Sequence, residues 1–174
     1  ALVKGIEDAL AGRDPAVEPD ELRTVMAAFQ ETVRGEIEAK RAADAERNAA
    51  EGEAFLAENG AKEGVTTTES GLQYEVLRQG DGPSPESGQR AVLNYRGTLP
   101  DGTEFDSSYD SDEPARFGVD QVIPGFTEAL KLMNVGSHYR VVIPPEIGYG
   151  PQGSQGAIGP NQTLIFEIEL LGIE

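Results

Sequence analysis

A chain of 174 residues, 38% of them hydrophobic, can bury one good core and an added helical segment, but little more. Its 31 Asp and Glu outweigh 14 Lys and Arg for a net charge of −17, which repels nucleic-acid backbones and anionic lipid surfaces alike. With no Cys, disulfides, thiolate catalysis and cysteine metal sites are excluded, and no run approaches the roughly 18 apolar residues of a membrane-spanning helix.

The chain opens on Ala1 with neither Met nor a basic leader, so we expect a processed chain from which any export signal is gone. Residues 1–16, ALVKGIEDALAGRDPA, predict a short helix with Leu2, Ile6, Ala9 and Leu10 on one face and Gly12 as its stop. A second, much longer helix should follow, of about 40 residues and roughly 60 Å at 1.5 Å per residue. Pro19 at the first helical position and Asp20 and Glu21 in the first turn mark its start. Leu22, Val25, Met26, Phe29, Val33 and Ile37 recur at helical spacing. Beyond Ile37 the stripe fades into Ala and charges, which predicts a middle that crosses solvent, with Gly35 and Gly52 as bending points. The apolar front of these two helices needs cover, which either a second copy or the later part of the chain could supply.

Composition changes near residue 65, from Ala, Glu and Arg to Gly, Pro and β-branched residues. From Gly71 onward, LQYEVLRQG, RAVLNYRGTL, SHYRVVIP and TLIFEIELLGI predict short strands, and PDGTEFDSS carries a turn between two of them. The last strand alternates, with Leu164, Phe166, Ile168 and Leu170 on one face and Glu167 and Glu169 on the other. One short helix, PGFTEALKLM, interrupts the run, so the fold class is α+β: a helical segment with one long helix, then an antiparallel sheet around a short helix.

Reactive chemistry is sparse. FDSSY places Asp106 beside Ser107 and Ser108, but a serine triad needs a histidine base. The single histidine, His138, opens a strand on the face of Arg140 and reads as solvent-facing. The acidic run from Asp106 to Glu113 lacks the spacing of a calcium loop. Neither a phosphate-binding loop nor a dinucleotide fingerprint is present, so no metal, nucleotide or other cofactor is expected. What remains is a set of apolar and aromatic side chains at element ends and loops: Tyr95, Phe105, Phe117, Val122, Ile123, Phe126, Tyr149, Ile158 and Phe166. Each alone reads as core. Together they suggest the lining of a small apolar pocket.

The segments NYRGTLPDGTEFDSS, FGVDQVIPGFTEALKLMNVGS, VVIPPEIGYG and IGPNQTLIFEIELL resemble the FKBP-type peptidyl-prolyl cis/trans isomerases, in order and spacing over about residues 70–174. The long helix ending in GEAFLAENGAKEGV, followed by SGLQYEVL, resembles the Mip-like (macrophage infectivity potentiator) subgroup. The resemblance implies a helical dimerisation segment and connecting helix over 1–65, with part of the family's dimerisation region lying before Ala1, and an isomerase domain over 66–174. It implies a bent antiparallel sheet curled around a short helix. Asp106, Tyr149, Phe126 and Phe166 become the expected catalytic residues, with Tyr95, Phe105, Val122, Ile123, Ile158 and Phe117 binding substrate. The expected partners are proline-containing unfolded or folding polypeptides, macrolide inhibitors of the FK506 or rapamycin type, and a second copy of the chain through residues 1–40. The expected location is the periplasm or outer membrane of a Gram-negative bacterium, assisting exported proteins. Four positions depart from common family versions: Phe126 where many members have Trp, Ser154 of the loop GPQGSQGAIGP where some have His, Ala115 in place of a pocket aromatic, and Ser111 in place of an Arg. A chaperone or binding module with isomerisation secondary is the alternative; an acidic hydrolase built on Asp106 is the remoter one.

Overall fold

The computed structural model describes residues 19–111, 113–154 and 156–174, with side chains from Leu22 onward. The short helix expected over 1–16 lies outside the described residues. Helix α1 runs unbroken from Pro19 to Gly60, 42 residues, close to the length its sequence predicts. The chain divides into two compact units between Ala42 and Ala43, so α1 belongs to both.

In the first unit α1 leaves its apolar stripe in solvent. Leu22, Val25, Met26, Phe29 and Ile37 are all exposed, Phe29 at 62%. In the second unit α1 behaves otherwise, and the solvent-crossing middle expected from the fading stripe is not what forms from Asp44 onward. Asn48, Gly52 and Asn59 are buried, with Ala45, Phe55 and Leu56 partly so. These positions fall on one helical face. Helix docking here uses small and amide side chains: Asn48 Nδ2 donates to Pro160 O at 2.8 Å, Asn59 Nδ2 to Gln73 Oε1 at 2.9 Å, and Gln73 Nε2 to Leu56 O at 2.9 Å. Gly52 is likewise no bending point. A Cβ built on it would fall on Thr163 Oγ1, so glycine there permits close approach of helix and loop.

Seven antiparallel strands follow: β1 (Val65–Thr67), β2 (Gln73–Arg78), β3 (Arg90–Thr98), β4 (Glu104–Ser107), β5 (Ala115–Gly118), β6 (His138–Ile143) and β7 (Leu164–Ile173). They lie in the order β1-β2-β6-β7-β3-β4, with β5 also on β3. β1 and β5, of 3 and 4 residues, are additions to the strands read from sequence. β4 and β5 share one edge of β3, β5 along Arg90–Leu93 and β4 along Arg96–Thr98. Between them Ser108 closes the gap: its Oγ accepts from the Tyr95 N–H at 2.9 Å, and its N–H donates to Tyr95 O at 2.9 Å. The second serine of FDSSY, Ser108, is thus a structural fastening.

Alternation sets the core. On β7, Leu164, Phe166, Ile168 and Leu170 are buried while Glu167 is exposed. Ala91, Leu93 and Tyr95 face the same way from β3. Against them packs helix α2 (Pro124–Leu132), which buries Phe126, Ala129 and Leu130. Each fully buried leucine here contributes about 1.5–3 kcal/mol relative to exposure. Pro124 at the first position of α2 fixes its start, and the helix ends where Met133 turns extended. Thr127 Oγ1 donates to Val119 O at 2.7 Å, tying the first turn of α2 to the segment that leads into it.

Candidate functional site

Aromatic side chains from β3, β4, β5, α2 and β7, with Tyr149 from the turn after β6, converge around a cavity of about 450 Å³. It is lined by Tyr95, Phe105, Asp106, Phe117, Gln121, Val122, Ile123, Phe126, Tyr149 and Phe166. Phe126 lies at the centre of the aromatic cluster. It meets Phe166 edge-on with centroids 5.1 Å apart, and Tyr95 and Phe117 edge-on at 6.2 Å each. Phe105 stands on Phe166 at 5.5 Å and 88°. Edge-to-face pairs of this kind add about 0.5–1.5 kcal/mol beyond their buried area and fix ring orientation. A Cβ at Gly97 would collide with the rings of Phe105 and Phe166, so glycine on β3 is what lets this wall form.

Beside the Asp106 carboxylate and the Gln121 amide, three polar groups border the apolar cavity. The Tyr95 hydroxyl donates to Asp106 Oδ2 at 2.6 Å. Burial first, and the Asp106 carboxylate second, push the Tyr95 hydroxyl well above the usual tyrosine range, so it stays a neutral donor. The Ile123 N–H, one residue before α2, has no acceptor among the described residues. The Tyr149 hydroxyl likewise makes no hydrogen bond among them, and Tyr149 is 39% exposed. Two donors therefore stand ready at the cavity for carbonyl oxygens of a bound chain, while the third is occupied in orienting a carboxylate.

Of the ten site residues expected from sequence, nine line this cavity. Ile158 does not: it is buried at 8% exposure within the hydrophobic core cluster. Gln121 lines the cavity without having been expected. Its side chain folds over Gly118, whose missing Cβ leaves the space. A polar residue directly before the apolar Val122-Ile123 pair was the available signal. His138 lies at the start of β6, opposite Glu169 of β7, and is not part of the lining. Among the described residues no group of three or more His, Asp or Glu could hold a metal ion.

The profile described as FKBP-type peptidyl-prolyl cis-trans isomerase matches residues 82–171, and that described as the domain amino terminal to FKBP-type peptidyl-prolyl isomerase matches residues 1–76. The chain is similar to the FKBP-type 22 kDa peptidyl-prolyl cis-trans isomerase of Escherichia coli, 47% identical over 173 residues that cover 99% of this chain and 82% of that protein. It is also similar to the outer membrane protein MIP of Legionella longbeachae, 41% identical over 99% of this chain and 74% of that protein. Among solved structures, that of FkpA from Escherichia coli matches with a TM-score of 0.84 and 40% identity, over 99% of this chain and 80% of that one.

Proposed function

The chain belongs to the family of FKBP-type peptidyl-prolyl cis-trans isomerases, and from that premise we propose that the cavity over Phe126 is where the X–Pro bond of a client chain is rotated. The observation that carries this reading is the pairing of an aromatic floor with two unengaged donors, the Ile123 N–H and the Tyr149 hydroxyl, around one 450 Å³ cavity.

Rotation about X–Pro must pass a barrier of about 18–20 kcal/mol set by amide resonance. No covalent bond to carbon is made or broken, so the chemistry calls for no nucleophile and no proton transfer. It calls for tighter binding of the twisted amide than of the planar one. Twisting removes resonance, which makes the carbonyl less polar and leaves nitrogen pyramidal. Phe126, Tyr95, Val122, Ile123 and Phe166 hold the proline ring in apolar surroundings that favour that less polar form. The Ile123 N–H and Tyr149 hydroxyl hold carbonyls on either side of the reacting bond. The positive edges of Phe105 and Phe166 face the carbonyl that turns. Asp106, fixed by Tyr95, is a polar neighbour of that carbonyl and not a base.

The test is a proline-peptide isomerisation assay. Because each 1.36 kcal/mol is tenfold in rate, Phe126→Ala and Asp106→Ala should each lower kcat/KM by roughly tenfold or more. Unchanged rates in both variants would remove the site from this cavity. Macrolides of the FK506 or rapamycin type are proposed to occupy the same cavity and to compete with the peptide.

The exposed stripe of Leu22, Val25, Met26, Phe29 and Ile37 supports two further parts of the reading. We propose that residues 1–40 pair with a second copy, which buries that stripe. The alternative, a chaperone that grips unfolded chains with isomerisation secondary, would use a pair of cavities by avidity. The named relatives include an outer membrane protein, and on that ground the chain is proposed to act on exported proteins in the periplasm or at the outer membrane of a Gram-negative bacterium.

A further inference from the structure

Tyr149 is the one aromatic side chain of the cavity lining that is exposed; the others are buried or half-buried. The rings of Phe126, Tyr95 and Phe166 lock one another and are buried in the core, whereas Tyr149 sits at the head of a long irregular segment running to β7. Its hydroxyl makes no hydrogen bond among the described residues, so its position depends on how that segment is held.

The segment is held from α1. Asn48, 6% exposed, donates from Nδ2 to Pro160 O at 2.8 Å. Asn161 Nδ2 reaches Ala45 O, one turn earlier on the same helical face, at 3.5 Å. Asn161 is the one non-glycine among the described residues with a positive φ, 52°. Its own N–H donates to Gly150 O at 2.9 Å, and Gly150 follows Tyr149 directly. Left-handed backbone is uncommon outside glycine and persists where surrounding contacts over-determine it. Here those contacts are the helix on one side and Gly150 on the other. Gly159 lies against the same seam: a Cβ on it would stand 3.0 Å from Asn48 Nδ2.

We propose that Asn48 is a positioning residue for the reaction: through Pro160, Asn161 and Gly150 it sets where the Tyr149 hydroxyl stands over the cavity. This rests on the carbonyl-holding role proposed above for Tyr149. It makes the second half of α1 part of the catalytic apparatus, although no residue of α1 lines the cavity. A misplacement of about 1 Å at a group that holds a reacting amide can cost up to roughly a hundredfold in rate, so a brace outside the site can matter.

A rival explanation is that Asn48 merely docks the helix. The buried Asn59–Gln73 pair, 2.9 Å, docks the same face of α1 onto β2, which contributes nothing to the cavity lining. The experiment therefore measures kcat/KM on a proline peptide, together with melting temperature, for Asn48→Ala, Gly159→Ala, Asn59→Ala, Tyr149→Phe and the double variant Asn48→Ala/Tyr149→Phe. Asn48→Ala and Asn59→Ala should both lower the melting temperature, since each loses the amide hydrogen bond that docks α1, Asn48 to Pro160 O and Asn59 to Gln73 Oε1. Asn48→Ala and Gly159→Ala should lower kcat/KM by roughly three- to tenfold, Asn59→Ala by less than about twofold, and Asn48→Ala should add nothing on the Tyr149→Phe background. Asn48→Ala at the wild-type rate with Tyr149→Phe impaired overturns the bracing alone. An equal loss in Asn59→Ala, or additive losses in the double variant, overturns it as well. Tyr149→Phe at the wild-type rate instead overturns the carbonyl-holding role of Tyr149 itself.

Discussion

Phe126 touches three rings edge-on and is only 4% exposed, so its size sets both the depth of the cavity and the packing behind it. Truncation to alanine would cost about 3–5 kcal/mol of stability, which is why its rate is best measured well below the melting temperature. Enlargement is the sharper probe. Phe126→Trp should raise the floor and shift preference among residues preceding proline, or among macrolide inhibitors, by several-fold. A preference profile identical to wild type for both would mean that Phe126 is not the floor. Tyr95 supplies a pH signature. Its hydroxyl is harder to ionise folded than unfolded, so its contribution to stability is whole below the unfolded value of about 10 and is lost as pH rises beyond it. Melting curves from pH 7 to 11 should therefore fall more steeply on the alkaline side for wild type than for Tyr95→Phe. Superimposable alkaline limbs would remove burial of the phenol as the cause.

Helix α1 shows where sequence periodicity is informative and where it is silent. Its start at Pro19 and its length are written in capping and composition, and so are the alternations of β3 and β7. The docking face over Asn48, Gly52 and Asn59 is not, because a rule that equates burial with apolar residues reads amides and glycine as solvent-facing. Those amides dock by hydrogen bonds to partners far away in the chain, which no local pattern reveals. The same limit hid β1 and β5, too short to show a period, and put Ile158 among the expected lining because its turn matched the other apolar turns. Of the nine residues that do line the cavity, Val122, Ile123 and Tyr149 are apolar side chains in turns, a conflict with local rules of the kind that collects at functional sites; the other six lie on strands or in α2, where no local pattern sets them apart, and only the resemblance of whole segments marks them. Two glycines on α1 now predict opposite signs. Among the described residues nothing lies within 4 Å of a Cβ at Gly35, so Gly35→Ala should stabilise by about 0.5–1 kcal/mol. Gly52→Ala drives a methyl into Thr163 and should lower the melting temperature by several degrees. A rise in both would mean that the close approach at Gly52 is not constrained.

At the scale of the whole molecule, the net charge of −17 keeps copies apart unless an apolar surface draws them together. The stripe from Leu22 to Ile37 is such a surface. Placing a carboxylate in its middle, Phe29→Asp, should convert a dimer to a monomer in sedimentation while leaving kcat/KM on a short peptide within about twofold, since the cavity lies wholly within the second unit. Wild type sedimenting as a monomer would dismiss the pairing through residues 1–40. With a proline-free client, suppression of aggregation that survives Phe126→Ala but fails in Phe29→Asp would favour the chaperone reading.

The place of β7 in the sheet has a consequence in time. It follows the sheet's other strands along the chain, yet it lies between β6 and β3 and pairs with both along most of its length. Until it emerges, β3 and β6 have no neighbour in common, the sheet is two separate pieces, and Phe166 is missing from the wall of the cavity. Pairings between strands so distant in sequence form slowly. The two pieces of the sheet therefore wait on the ten-residue stretch of β7, and the cavity gains its last wall only when that stretch slides into the middle.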